Sequence, residues 1–377
     1  HTVTTGNANI AIGNDAMNGA TTTGDNNIAI GASAGDAITT GTHNVLVGSN
    51  NCGGAIIGGA KNVAMGGSAL EQVTTGDSNI AIGYNSGQGN TGADYNVTVG
   101  YAAGDLTGPG NVAIGKGALS GNDSGQYNVG IGYEAGNDVT TGKDNVLIGN
   151  KAGAGVVTGI YNTFIGAESG LVGSGSAVDE NTALGFASLK ALTSGSRNTS
   201  LGAYAVQQMV NASDTVAIGY YTLANALTST DINGSVAIGS FSQAENKTGI
   251  SNTSVGFEAL KAEVNGDKST AIGYSSLKNQ TGTSGAVSNT ALGFASGDSI
   301  TTGNSCTIIG SEADPSAHNS INQTVIGQGA TGQANNSVVL GNASVDRVYA
   351  AQDGAAVLYA NGTINTSDRR FKENIDD

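Results

Sequence analysis

Tryptophan is missing from this chain, proline and cysteine occur twice each, and charged residues make up only 11%. Sparse charge argues against a disordered chain held open by its own repulsion, and two prolines exclude a collagen-like rod or a proline-rich linker. Cys52 and Cys306 stand too far apart in sequence to suggest a disulfide framework, and they leave the redox compartment undecided. Basic residues are also scarce. With 14 of them against 29 acidic residues the formal charge is −15, the wrong sign for a phosphate backbone, so nucleic acid is not an expected partner. No apolar run approaches the roughly 18 to 20 residues of a spanning helix, so membrane insertion is not expected either. The chain opens His1-Thr2-Val3 without methionine or a signal-like segment, as expected of a fragment, a processed product or an incompletely known N-terminus.

What the sequence has in excess is glycine, 61 residues, and their placement is periodic. A five-residue motif, x-β-x-aliphatic-Gly, recurs 21 times between Asn9 and Gly341, and 12 of its 20 intervals are 17 residues, which marks a repeat architecture. Clear copies are Asn27-Ile28-Ala29-Ile30-Gly31, Asn79-Ile80-Ala81-Ile82-Gly83 and Asn111-Val112-Ala113-Ile114-Gly115. The second position is Val, Ile or Thr in every copy but the one with Ala55, and such side chains favour extended backbone. The fourth is always aliphatic or Met. These two larger residues share a strand face and are expected to point to the interior. The middle position faces the other way and never carries charge, so a second buried face is expected there, closed by sister chains.

The pattern predicts an all-β, elongated parallel β-solenoid or β-roll of ~17-residue coils, each with two short strands and two turns, on the order of 100 Å long. The coils are expected to associate as an intertwined or side-by-side homotrimer. The opening position is Asn in 14 copies, suited to an amide ladder along the axis, and Cys306 falls in that column as a buried small residue.

Chemical motifs are few. Gly31-Ala32-Ser33-Ala34-Gly35 matches the nucleophile-elbow string, but equivalent positions hold Asn85, Ala102, Glu134, Lys151 and Glu168 and no helix pattern follows. His1, His43 and His318 stand singly, without ligand spacing, and read as surface loops. Gly24-Asp25, Gly76-Asp77 and Gly266-Asp267 read as turn chemistry rather than calcium loops. No metal and no cofactor is called for. Eight aromatics directly follow the motif glycine: Tyr84, Tyr101, Tyr133, Phe186, Tyr220, Phe257, Tyr274 and Phe294. They are expected to stack into a stripe that packs coil corners or chain seams, with sugar binding as the alternative. Longer intervals place loops at Leu171 to Glu180, Asn225 to Gly234 and Asn279 to Ser288, which are expected to bulge from the rod.

After Gly341 the period stops, and the chain runs into Ser367-Asp368-Arg369-Arg370-Phe371-Lys372-Glu373-Asn374-Ile375. This end resembles the junction in bacteriophage tail spikes and tail fibres that opens an endosialidase-type intramolecular chaperone, with its S-D-x-R-x-K-x-N-I signature. The resemblance implies a shaft over 1–342, a neck over 343–366 and the start of the chaperone over 367–377. It further implies cleavage between Ser367 and Asp368, with Ser367 as nucleophile and Lys372 as its base, in a precursor carrying the whole chaperone.

The repeats are also similar to the trimeric heads of bacterial autotransporter adhesins. The expected role is structural and host-recognising. The chain would be a virion tail appendage bound to itself, to other tail proteins and to a host cell-surface glycan or protein receptor, with no enzymatic activity on a substrate. A bacterial surface adhesin or filament is the first alternative, and a polysaccharide-cleaving spike, which would need paired carboxylates, is the second.

Overall fold

A computed structural model describes residues 5–348, apart from 20, 90, 173–176, 209, 226–231 and 283–284. Among the described residues there is no helix. Twenty strands of three or four residues, from Ile10–Ile12 to Ser337–Leu340, form one parallel sheet. Register is kept from rung to rung, as in Val112↔Val129, Ala113↔Gly130 and Ile114↔Ile131, so each column of the repeat becomes a column in space. Nineteen steps of about 4.8 Å give a parallel β-solenoid about 90 Å long.

One sequence copy is not a rung. Val45–Val47 pairs directly with Val63–Met65, and the intervening Ile56 is a fully buried side chain of the return leg, so the step is one 18-residue coil. The expectation of two strands per coil is also corrected. Each coil contributes one strand to the main sheet, and most of the return leg is made of turns because several of its residues adopt positive φ, which interrupts an extended run. It still bonds along the axis: Thr39 N–H donates to Ile57 O at 3.1 Å, and Ile57 N–H to Thr74 O at 3.0 Å. Second ladders form where two of the long loops return, Ala177–Asp179 on Ser194–Ser196 and Gly266–Asp267 on Gly285–Ala286. These arms are therefore stitched to the coil rather than bulging throughout.

The sidedness of the strands is the main correction. The middle column points into the coil: Ala29, Leu46, Ala81, Ala113, Leu147, Phe164, Ala217 and Ile308 are completely buried. The larger flanking residues point out, with Ile12 58% and Ile82 39% exposed. The physical reason is room. A coil this slim accepts one inward side chain per strand, because residues of the turn already fill the space opposite it, including Ala69, Leu70, Leu119 and Val139.

Volumes are traded between these positions. Leu119 reaches under Gly130, where a Cβ would lie 2.7 Å from its Cγ, whereas the ring of Phe164 occupies the place a side chain on Gly170 would take. The motif glycine itself is obligatory. At Gly115, φ is 129° and a Cβ would lie 2.7 Å from the carbonyl carbon of Gly132 on the next rung.

The asparagine column forms the expected ladder. Asn145 Nδ2 donates to Asn128 Oδ1 at 2.9 Å and to Gly159 O at 2.8 Å, and its own Oδ1 accepts from Asn162 N–H and Nδ2, both at 3.0 Å. Cys306 continues the column through its backbone, donating to Asn289 Oδ1 at 2.8 Å. Towards the C-terminal rungs the interior becomes polar in a way the repeat does not announce. Glu263 is fully buried, and its Oε1 accepts N–H bonds from Val264, Asn265 and Gly266 at 2.6–3.0 Å, while Gln280 Nε2 donates to its Oε2 at 2.5 Å.

Candidate interaction site

Two surfaces emerge from this geometry. The first is the outer face of the sheet, two columns wide and twenty rungs long, in which every residue is Val, Ile, Leu, Met or Thr. Charges lie immediately beside it and never on it: Lys61, Asp144, Arg197 and Lys268 occupy the column before the asparagines, and Lys116 follows a motif glycine. A chain of net charge −15 that keeps an apolar strip of this length free of charge presents the kind of patch that marks an interaction surface. The middle column, expected to be closed by sister chains, is buried inside the coil instead, and the exposed apolar face is the one expected to point inward.

The second surface is built by the aromatics after the glycines, and it forms two ladders rather than one stripe. In the first, Tyr84 and Tyr101 stack at 5.8 Å, and the Lys116 ammonium lies 6.0 Å from the Tyr101 ring and 5.5 Å from that of Tyr133. Such a cation over π faces is attracted by the ring quadrupole. The second is unbroken. Phe186 meets Tyr204 at 5.1 Å and Tyr204 meets Tyr220 at 6.1 Å; Phe241 then links Tyr220 to Phe257, which stacks on Tyr274 at 5.3 Å, and Tyr274 on Phe294 at 5.2 Å. Tyr204, Tyr221 and Phe241 come from the next column of the coil, a contribution the sequence reading missed because it followed only one column. Their neighbours across coils supply the missing links at the small residues Ala203 and Ser240.

Of the favoured expectation that these rings pack coil corners or chain seams, the corner half is corrected in part. They pack against one another, but Phe186, Tyr220, Phe257, Tyr274 and Phe294 remain 40–51% exposed, since the coil interior is already filled. Beside them Glu258 is clasped by Lys261 at 2.6 Å and Lys278 at 2.5 Å, and those lysines, Lys261 first, hold its carboxyl below the ordinary range. Glu168 bonds Lys190 at 2.6 Å. A sugar-cleaving pair would draw on the glutamates two residues after the motif glycine; of these four, Glu134, Glu168 and Glu258 are engaged by lysines, and Glu312 is exposed.

The remaining candidates are structural. Asp25, Asp77 and Asp267 use a carboxylate oxygen to accept a backbone N–H of the preceding coil, from Asn7, Ala60 and Ile250 at 2.6–2.8 Å. Among the described residues, no group of three or more His, Cys, Asp or Glu is placed to hold a metal ion. Ser33 has φ 56° and no helix behind it. His43 is exposed with its ring 3.3 Å from Asn26 Nδ2, and His318 is exposed. Burial pushes the Cys52 thiol up to about 11, against the opposing pull of the Gly66 backbone, and raises Cys306 likewise, so both are protonated and inert at neutral pH. Ser367, Asp368 and Lys372 lie outside the described residues. No family model matches the chain, and no curated protein matches it.

Proposed function

We propose that the chain is the shaft of a bacteriophage tail fibre or comparable virion appendage, a homotrimer of solenoids that carries host recognition. The observation that carries this reading is the charge-free outer face of a 20-rung sheet. A strip about 90 Å long and about 10 Å wide offers on the order of 900 Å² per chain, against roughly 800 Å² per partner in a standard stable interface. Each strand points two side chains outward, one towards each of two neighbours. The smallest closed ring in which every chain has two neighbours is three-fold. The resemblance of Ser367-Asp368-Arg369-Arg370-Phe371-Lys372-Glu373-Asn374-Ile375 to a self-cleaving chaperone start supports a phage fibre over a bacterial adhesin.

Sedimentation of the purified chain tests the assembly. A three-chain mass is expected, and Ile82→Asp with Ile114→Asp should reduce it to one chain. A native chain that sediments alone removes the proposal. Antibodies raised against the shaft are expected to label phage tails in electron micrographs; labelling of the bacterial envelope instead would favour the adhesin.

A further inference from the structure

The two exposed surfaces differ in what their columns tolerate. The sheet face admits no charge in any rung, whereas the column holding the aromatic ladder also holds Lys116, Asn150 and Gln328, and the column beside it holds Glu134, Lys151 and Glu168. A column that mixes ammonium, amide and ring belongs to a solvated flank, so the ladder stays open when the sheet face is covered. Its rings then need another explanation than burial.

Geometry supplies one. Successive rungs rise about 4.8 Å, more than the 3.5–4.0 Å at which two stacked carbon faces touch. Phe257, Tyr274 and Phe294 are nearly parallel, at 15° and 11°, with centroids 5.3 and 5.2 Å apart, so they are offset and each leaves part of a face uncovered. At the end of the run the same column continues with Ser311, too small to cover Phe294, which is 51% exposed. Alongside, Glu258, Lys261 and Lys278 form a charge cluster drawn from two coils, already held by its internal bonds and thus in place to accept and donate hydrogen bonds.

We propose that the ladder from Phe186 to Phe294, with the Glu258, Lys261 and Lys278 cluster at its edge, binds an extended polysaccharide lying along the rod, about one pyranose ring per rung. Aromatic faces take the apolar C–H faces of the sugar rings, and the charged cluster takes their hydroxyls. A chain of several rings engages several rungs at once, so affinity grows with ligand length. This names the ligand class for the recognition role proposed above and rests on that reading only for the biological source of the glycan.

The full chain is titrated calorimetrically with chitohexaose and cellohexaose, two extended β-linked probes, and with the matching disaccharides. At least one hexaose is expected to bind, at least ten-fold more tightly than its disaccharide. The double variant Phe257→Ser with Tyr274→Ser uses the residue that Ser240 and Ser311 already place in this column, and it should weaken hexaose binding at least ten-fold. If that variant melts early, Phe294→Ser, at the open end of the ladder, is held to a loss of at least three-fold. Absence of binding by both hexaoses, or unchanged affinity in the variants, overturns the proposal. Mass is measured on the same samples: a trimer that binds neither hexaose refutes the site and keeps the assembly, while a single chain that binds one does the reverse.

Discussion

At Gly130 the interior is a matter of single methyl groups. The residue has no positive φ, and most of its column elsewhere is alanine, yet Leu119 fills the place its side chain would take. Gly130→Ala should therefore destabilise the rod by about 1–3 kcal/mol through overpacking alone. Adding Leu119→Ala should make the pair less harmful than the sum of the two changes, a coupling that denaturant titration of the four variants measures. A pH effect belongs to this scale too. Burial, reinforced by nearby Asp123 and opposed by the Gly89 backbone N–H, holds the Asp105 carboxyl above its ordinary 3.8. The folded chain thus binds this proton more tightly than the unfolded chain, so stability falls as pH rises from the ordinary value through the raised one. Asp105→Asn keeps an acceptor and should melt higher than the native chain at neutral pH, with the gap closing as the pH falls below about 3.8. An equal gap at all pH values would refute the assignment.

For the strand, the sequence made the rung, its length, its parallel stacking and its asparagine column legible, because β-branched residues and a fixed interval constrain them directly. It did not reveal which side is interior. Neither the Ile and Val columns nor the Ala column carries charge, so hydropathy alone ranks the larger residues as core. The width of the coil, which reverses that ranking, depends on turn residues such as Leu70 and Leu119 held at φ 52° and 48°, a backbone state with no reliable sequence signal outside glycine and asparagine. The aromatic ladder was half visible for a related reason: one column of rings follows the glycines, whereas Tyr204, Tyr221 and Phe241 join it only through coil curvature. Glu263 had no signal at all, since its position in other coils is filled by residues such as Val139 and Ile300. The corrected sidedness changes what a substitution should do. Ala113→Asp buries an unpaired carboxylate inside the coil and should unfold it, costing several kcal/mol, instead of merely separating chains. Loss of the β-signal in circular dichroism is the expected result; a variant that stays folded would restore the original orientation.

On the scale of the whole rod, each coil touches only the coil before and the coil after, and stability is the sum of those contacts. Nothing in that arrangement specifies where the stack must stop. Removing residues 129–145, one full period, joins Asn128 to Val146 and keeps every column in line, so the shortened chain should fold and assemble with its length reduced by about 4.8 Å. Removing one residue fewer turns the following strand inside out and should be far more damaging, a difference that melting curves and small-angle scattering register. Reach is thereby decoupled from foldability: tandem duplication or loss of a 17-residue unit re-gauges the distance between the two ends while leaving the cross-section untouched.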